Sequence, residues 1–238
     1  MRPTRRRVLS RTSRIAGAGA LAGLTTGLAG CLDGDDVGTP DTTPTPTPTP
    51  EEPDPRVDDP PHDIEEPDPG TGEGEWNEHY LCEAIDDAPT LSFEGAVATG
   101  PVSLGEALGG LDYDGRESDE EYFVDLVTTA EAFDAVDDAL REELGTPDFD
   151  EEAVLVVQSG WGSSSVRSKL VRIEPADGGI HAHGCHVVPF VQTDDVTVRT
   201  LVVRFDRPDD GLEGATVSLT VAPERRVVLV AGEGAVSL

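Results

Sequence analysis

Hydrophobic and polar residues alternate along most of the chain that follows Trp76, and the period is close to two. This period is typical of β-strands with one buried face, because successive side chains of a strand point to opposite sides. A continuous apolar run at 153–157 indicates a central, fully buried strand. The predicted strands lie at 90–99, 122–127, 153–157, 166–173, 180–188, 196–205, 217–221 and 226–231. Short strands at this spacing predict a mostly β fold, an antiparallel sandwich or a partly open barrel.

One amphipathic helix interrupts the strands, at about 130–144. Thr128 followed three residues later by Glu131 has the form of a capping box. Gly145 and Pro147 follow as a C-cap glycine and a helix-ending proline. The apolar stripe of this helix is Phe133, Val136, Leu140 and Leu144. The opposite face is acidic and carries no evident chemistry, so the helix is predicted to be structural.

The chain begins with a segment that resembles a twin-arginine export signal. Arg5 and Arg6 stand after Thr4 and one residue before two apolar residues, and an apolar stretch of Ala, Gly, Leu and Thr follows at 15–30. That stretch is short and weakly apolar for a transmembrane helix but suits an export signal. An uncleaved anchor helix is the alternative, and it leads to the same side of the membrane.

The apolar stretch ends in a motif that resembles the lipobox of bacterial and archaeal lipoproteins. Its residues are Leu28, Ala29, Gly30 and Cys31. The resemblance implies that residues 1–30 are removed and that Cys31 becomes the lipidated first residue of the mature protein. We therefore expect a protein anchored to the cell membrane by lipid and facing outside.

Residues 31–75 show no apolar periodicity. Thr and Pro alternate at 39–50, and acidic residues and Pro continue to about 69. Proline and like charges extend such a chain, which cannot bury enough apolar surface to offset its ordering entropy. The pattern predicts a disordered stalk, open to O-linked sugar on its threonines, that precedes a globular domain at 76–238.

The net charge of the chain is −31, from 48 acidic and 17 basic residues. Nucleic acid is excluded as a partner, because phosphate binding requires clustered Lys and Arg. Binding of a basic patch to an anionic membrane surface is disfavoured for the same reason. Lys169 is the single lysine, and an acidic surface almost free of lysine predicts a protein of an extreme halophile, working where salt screens charge.

The most unusual local sequence runs from His181 to His186. If it is a strand, His181, His183 and Cys185 share one face. Two imidazoles and a thiolate suit zinc or copper. A blue-copper site is disfavoured because Met1, in the signal, is the single methionine. A metal-binding or redox protein using these three residues is therefore one hypothesis.

The cysteines offer another account. With Cys31 committed to lipid, Cys82 and Cys185 remain as a pair outside the cell, where disulfides persist. A bridge between them, two free buried thiols and a metal site at Cys185 are the three alternatives. The bridge and the metal site exclude each other.

The segment 158–165 is predicted to be a loop between two strong strands. Its Trp161, flanked by glycines, either anchors a partner or folds back onto the sheet. Together with His181, His183 and His186 it is the candidate binding surface. Ser164 lacks the nucleophile elbow of hydrolases, and no other catalytic motif is present, which predicts a protein that is not an enzyme.

From Phe149 to Pro208 the chain has an acidic-Phe-acidic start, a Val-rich strand at 154–157, a glycine-rich hairpin at 160–162 and the step Pro189-Phe190. This order of features resembles the C-terminal domain of the PrcB-type protease-stabilising lipoproteins. The chain is also similar to exported lipoproteins of halophilic archaea that share the hairpin 158–163. The first resemblance implies a non-enzymatic β domain that binds a protein. We thus expect a protein- or ligand-binding module, with metal binding as the competing function.

Lipidation of Cys31 gives a direct prediction. Cys31→Ser removes the acylated thiol, so we expect the protein to move from the membrane fraction into the soluble exported fraction of the producing cells. Fractionation and immunoblotting measure this. Cys82→Ser is the matched control and should stay with the membrane. If Cys31→Ser also stays there, the signal is an uncleaved anchor.

Overall fold

The computed structural model describes residues 56–68, 76–83, 85, 86, 88, 91–99, 104–106, 108–111 and 120–238, with the side chains of Thr99 and Trp161 left out. All of them belong to one compact unit, Pro50–Leu238. The predicted signal and Cys31, the predicted lipidation site, lie outside the described residues. The strands are β1 (Val57–Asp58), β2 (Phe93–Thr99), β3 (Glu121–Val127), β4 (Glu152–Gly162), β5 (Arg167–Ala176), β6 (Gly179–Val187), β7 (Thr197–Asp206), β8 (Gly214–Ala222), β9 (Arg225–Val230) and β10 (Val236–Ser237).

The strands form two five-stranded sheets. Sheet A has the order β1-β9-β8-β6-β5 and sheet B the order β10-β3-β4-β7-β2. The predicted mostly β fold is confirmed, and the sheets do not close into a barrel. The expectation of purely antiparallel pairing was wrong at one place, because β6 and β8 pair in parallel. The chain passes to sheet B as β7 between these two strands, and this crossover lets it return in the same direction.

The main core lies between the two sheets. Alternate residues of the facing strands fill it, as the period of two predicts. Sheet B contributes Tyr122, Val124, Leu155, Val157, Leu201, Val203 and Phe205, and sheet A contributes Leu170, Ile173, Ile180, Ala182, Val217, Leu219, Val227 and Leu229. This apolar layer fixes which side chains of each sheet point outward.

The outer face of sheet B is covered by the helical region and by Leu104, Leu108 and Leu111. Phe133, Leu140 and Leu144 pack there against the outward residues Val154 and Val202. The strand β4 is therefore buried on both faces, as its continuous apolar run predicts. The helical region has a structural role because it covers this face of sheet B.

The helical region differs from the single predicted helix at 130–144. It forms α1 (Ala130–Phe133) and α2 (Asp138–Leu144). Thr129, rather than Thr128, caps α1, and its hydroxyl accepts the Ala132 N–H at 3.2 Å. Asp137 starts the second helix because its carboxylate accepts the Ala139 N–H at 2.9 Å, an N-cap that competes with a continuous helix. Gly145 ends α2 as predicted, with φ +71°.

The folded unit begins before Trp76, where the sequence places the end of the stalk. Val57 and Asp58 form β1 against β9. Arg226 donates to both carboxylate oxygens of Asp58, at 2.8 and 2.6 Å. We call residues 56–68 the N-terminal strap. The strap joins the outer side of sheet A although its composition is that of the stalk, because a few contacts at Val57, Asp58 and Ile64 hold it.

A disulfide bridge joins Cys82 to Cys185, which confirms that alternative over the other two. Cys82 belongs to the short 3-10 helix Tyr80–Cys82, and Cys185 belongs to β6. Leu81 and Val187 are buried around the bridge, and Ile64 of the strap packs on them. The bridge thus secures the 3-10 helix on the outer face of sheet A.

The bridge closes a long loop, because its cysteines are 103 residues apart. Cys82→Ala combined with Cys185→Ala should lower the free energy of unfolding by about 2–5 kcal/mol, as the unfolded chain regains entropy. Urea denaturation of the full chain measures the loss. Cys31→Ala is the control and should leave the free energy unchanged. Alkylation of the native protein before reduction, seen by intact mass at both cysteines, would contradict the bridge.

Candidate functional site

A cleft lies between β2 and β5, which are edge strands of the two sheets. At one end the sheets are linked, since Leu91 N–H donates to Ile173 O at 3.2 Å. Beyond this link the cleft has a volume of about 320 Å³. Its lining is mainly apolar and comprises Phe93, Gly95, Val97, Leu170, Val187, Leu201 and Val203. We call it the edge cleft.

Gly95 helps to keep the edge cleft open. A Cβ at this position would lie 3.4 Å from Val203 Cγ2 and 3.5 Å from Leu201 Cδ1, which is ordinary contact. A longer side chain would extend into the space that the glycine leaves. Val97 nearby is 40 % exposed, so the cleft presents apolar surface to solvent.

Basic side chains stand around the edge cleft. Arg167, Lys169 and His79 line it together with the apolar residues. Arg167 Nη2 lies 3.5 Å from Glu78 Oε1, and both side chains are exposed, so this pair is weak. The net charge of the chain is −31, so a cleft rim that carries the single lysine and an arginine differs in charge from the protein as a whole.

A second candidate site lies on the outer face of sheet A. His181 and His183 share this face, as the strand period predicts, and their rings are 4.0 Å apart between centroids. Cys185 lies on the same face, but its sulfur is bonded to Cys82. The predicted metal set of His181, His183 and Cys185 is therefore wrong in its third member.

Glu174 supplies a third donor instead. It pairs directly with His181 across the β5–β6 hairpin, and its Oε1 lies 2.9 Å from His183 Nε2. One donor atom from each of Glu174, His181 and His183 lies within 4.8 Å of the other two. We call these three residues the histidine cluster. In the sequence, the signal for Glu174 is only that it lies in the preceding strand, seven residues before His181.

The charges of the histidine cluster suit electron-pair donation. The hydrogen bond from His183 lowers the pKa of Glu174, so its carboxyl is ionised at neutral pH. Burial, with a contribution from the neighbouring His183, lowers the pKa of His181, so its imidazole is neutral there. Arg172 is also close, with Nη2 3.2 Å from His183 Nε2 and 3.3 Å from Glu174 Oε1.

The histidine cluster does not form a Ser-His-acid triad. His181 Nε2 lies 2.8 Å from Ser218 Oγ, which has the distance of a nucleophile–base pair. In a triad the acid orients the same imidazole that contacts the serine, whereas Glu174 contacts His183. Ser218 is also only 3 % exposed. The geometry favours Ser218 as a partner that orients His181.

The predicted binding surface of Trp161, His181, His183 and His186 is not one surface. His186 is buried, 7 % exposed, and faces the layer between the sheets beside Ser168, because it is one residue out of phase with Cys185. The backbone of Trp161 lies in β4 of sheet B rather than in a loop. The next strand along the chain, β5, begins at Arg167, which pairs with Val187, six residues or about 20 Å along β6 from His181.

Comparisons of the chain with protein-family models, curated proteins and solved structures find no match. The PrcB-type resemblance therefore stays a prediction, and no family points to catalysis. Among the described residues, no helix has the length and apolar character needed to cross a membrane.

The buried His186 gives a pH prediction. Burial, with a smaller effect of Arg199, lowers its pKa from 6.5 to about 3. Between these values the unfolded chain binds a proton that the folded chain does not, so the free energy of unfolding falls as pH falls. We expect His186→Gln to remove about 2 kcal/mol of the loss between pH 7.5 and 5. Urea denaturation at each pH measures it.

The slope with pH, not the absolute stability, is the result to compare. His79→Gln is the control, since His79 is exposed, and it should keep the wild-type slope. If His186→Gln does not fold, NMR titration of the wild-type ring replaces it. Protonation of the His186 ring in the folded protein near pH 6 would contradict the prediction.

Proposed function

We propose that this protein is an exported, lipid-anchored β domain that binds a small apolar ligand with an acidic group in the edge cleft, without converting it chemically. The observation that carries the proposal is the cleft itself, an open and mainly apolar space of about 320 Å³ between two sheet edges. Small-molecule sites are concave and mostly apolar, with a few polar groups that fix orientation, and occupy about 300–1,000 Å³.

The apolar part of the ligand would lie along Phe93, Val97 and Leu201. Placing an apolar chain there removes the exposed surface of Val97 from water, which is favourable in proportion to the area buried.

The acidic part of the ligand would lie at Lys169 and Arg167. An ionised ligand group gains a charge-assisted hydrogen bond from either side chain. The rest of the surface is acidic and offers few such contacts. The rim therefore gives both an orientation and a preference for anions over neutral molecules.

A small ligand is favoured over the protein partner that the PrcB-type resemblance implies. The predicted protein-binding surface does not come together, since His186 is buried and Trp161 lies in the other sheet from His181. The lipid anchor on Cys31 and the stalk would hold the domain outside the cell, where a ligand reaches the cleft from the surrounding solution. The stalk gives the domain distance from the membrane.

The test uses the full chain and three probes. Anilinonaphthalene sulfonate, an anionic aromatic dye, should bind one site per chain and be displaced by dodecanoate. Gly95→Leu should weaken both by about tenfold or more, a loss of 1.4 kcal/mol, because its side chain fills the cleft. Lys169→Gln should weaken dodecanoate but leave the neutral dodecanol unchanged. Dye fluorescence and calorimetry measure these affinities.

Two variants serve as matched controls. Gly214→Leu makes the same substitution where a Cβ meets nothing within 4 Å, and Arg204→Gln removes a charge that pairs with Glu94 outside the cleft. Both should bind as wild type does. Equal dye affinity in wild type and Gly95→Leu would overturn the proposal.

A further inference from the structure

We infer that Glu174, His181 and His183 form a binding site for one divalent transition-metal ion of the zinc and copper class. The inference does not depend on the proposed function, because the histidine cluster shares no residue with the edge cleft. It rests on the donor set, on the positions of the donor atoms and on the hydrogen bonds that hold them together.

The donor set fits these metals. Two imidazoles and one carboxylate bind zinc in sites that leave a fourth position open for water or for an atom of another molecule. Imidazole also suits copper, whereas magnesium and calcium prefer oxygen ligands. The histidine cluster therefore favours zinc or copper over magnesium and calcium. The many acidic residues elsewhere on the surface do not offer the same combination of donors.

The donor atoms are close enough to converge on one ion. Two ligands at about 2.1 Å from one tetrahedral zinc ion are about 3.4 Å apart. The donor atoms of the histidine cluster lie within 4.8 Å of one another, so side-chain rotations that bring them up to about 1.4 Å closer complete the arrangement. Glu174 has the freedom for this, since its side chain is 34 % exposed.

The strands hold the histidine cluster in place. His181 and His183 are two residues apart on β6, which lies between β5 and β8 in sheet A. Ser218 Oγ contacts His181 Nε2 at 2.8 Å. Metal-bound imidazoles commonly have a hydrogen bond at their second nitrogen, which fixes the tautomer and the ring orientation. Ser218 restrains the orientation of the His181 ring in the same way.

The hydrogen bonds of the histidine cluster converge on the Glu174 carboxylate. His183 Nε2 lies 2.9 Å from Glu174 Oε1. Arg172 Nη2 donates to the same oxygen at 3.3 Å and lies 3.2 Å from His183 Nε2. A metal ion can replace the proton between Nε2 and the carboxylate, because both groups donate electron pairs to zinc and copper.

Arg172 opposes the cation by its charge and so sets the affinity. Its Nε is buried and has no hydrogen-bond partner among the described residues, and its Nη1 lies 4.0 Å from Asp86 Oδ2. When the ion binds, Arg172 can turn toward Asp86. Removing the guanidinium should therefore increase the affinity for the metal ion. If Arg172 served only as a structural ion pair, its removal would not have this effect.

The experiment measures Zn²⁺ and Cu²⁺ binding to the chelator-treated full chain by calorimetry, in a large excess of Mg²⁺. The Mg²⁺ occupies carboxylates of the acidic surface but does not compete for imidazole. We expect one tight site per chain. His181→Ala, His183→Ala and Glu174→Gln should each weaken it by about tenfold or more. Arg172→Gln should strengthen it, and the control His79→Ala should leave it unchanged.

A measurement on the wild-type protein keeps the test independent of variant folding. In ¹⁵N-histidine NMR spectra, Zn²⁺ should shift the rings of His181 and His183 and leave those of His62 and His186 in place. Absence of a tight site in the wild type overturns the inference. So does equal affinity in wild type and His183→Ala, or a ring shift confined to other histidines.

Discussion

The disulfide between Cys82 and Cys185 decides how the outer face of sheet A is used. It secures the 3-10 helix on β6 and buries that end of the face with Leu81 and Val187. It also takes the Cys185 sulfur out of metal chemistry. His183 and His181, two and four residues along the same strand from Cys185, stay only half-buried. One covalent bond thus separates a closed, structural end of the face from an open end with donor atoms.

The alternation of residues was enough to predict the individual strands but not their arrangement. Each long predicted strand appears, since burial of one face requires the period of two. The pairing of β6 with β8 did not follow, because it depends on β7 crossing to the other sheet, a long-range choice that no local pattern encodes. Glu174 was missed for a different reason. It faces His181 across the short turn between β5 and β6, on the turn side of the irregularity between Leu170 and Arg172. A prediction made from the His181–His186 segment alone does not include the neighbouring strand.

Two predictions failed because a local sequence rule was applied to only some residues of its segment. The period of two that groups His181 with His183 also turns His186 to the inside, so the sequence already opposed a shared surface. The helical region contained two capping residues, Thr129 and Asp137, and the second one divides it. The edge cleft could not be predicted from the sequence for a different reason. Its opening depends on how far β2 and β5 diverge beyond the link at Leu91, and sequence periodicity carries no information on that distance.

The acidic surface determines the salt concentration at which short-range contacts alone govern binding at the two proposed sites. At low salt a net charge of −31 repels an acidic ligand from the edge cleft and draws metal ions to carboxylates over the whole surface. At about 1 M salt, charges are screened beyond about 3 Å, and both long-range effects vanish. The hydrogen bond from Lys169 and the coordination by His183 act within that distance and survive. Concentrated salt, the medium that the composition predicts, is therefore the condition in which local chemistry decides what this domain binds.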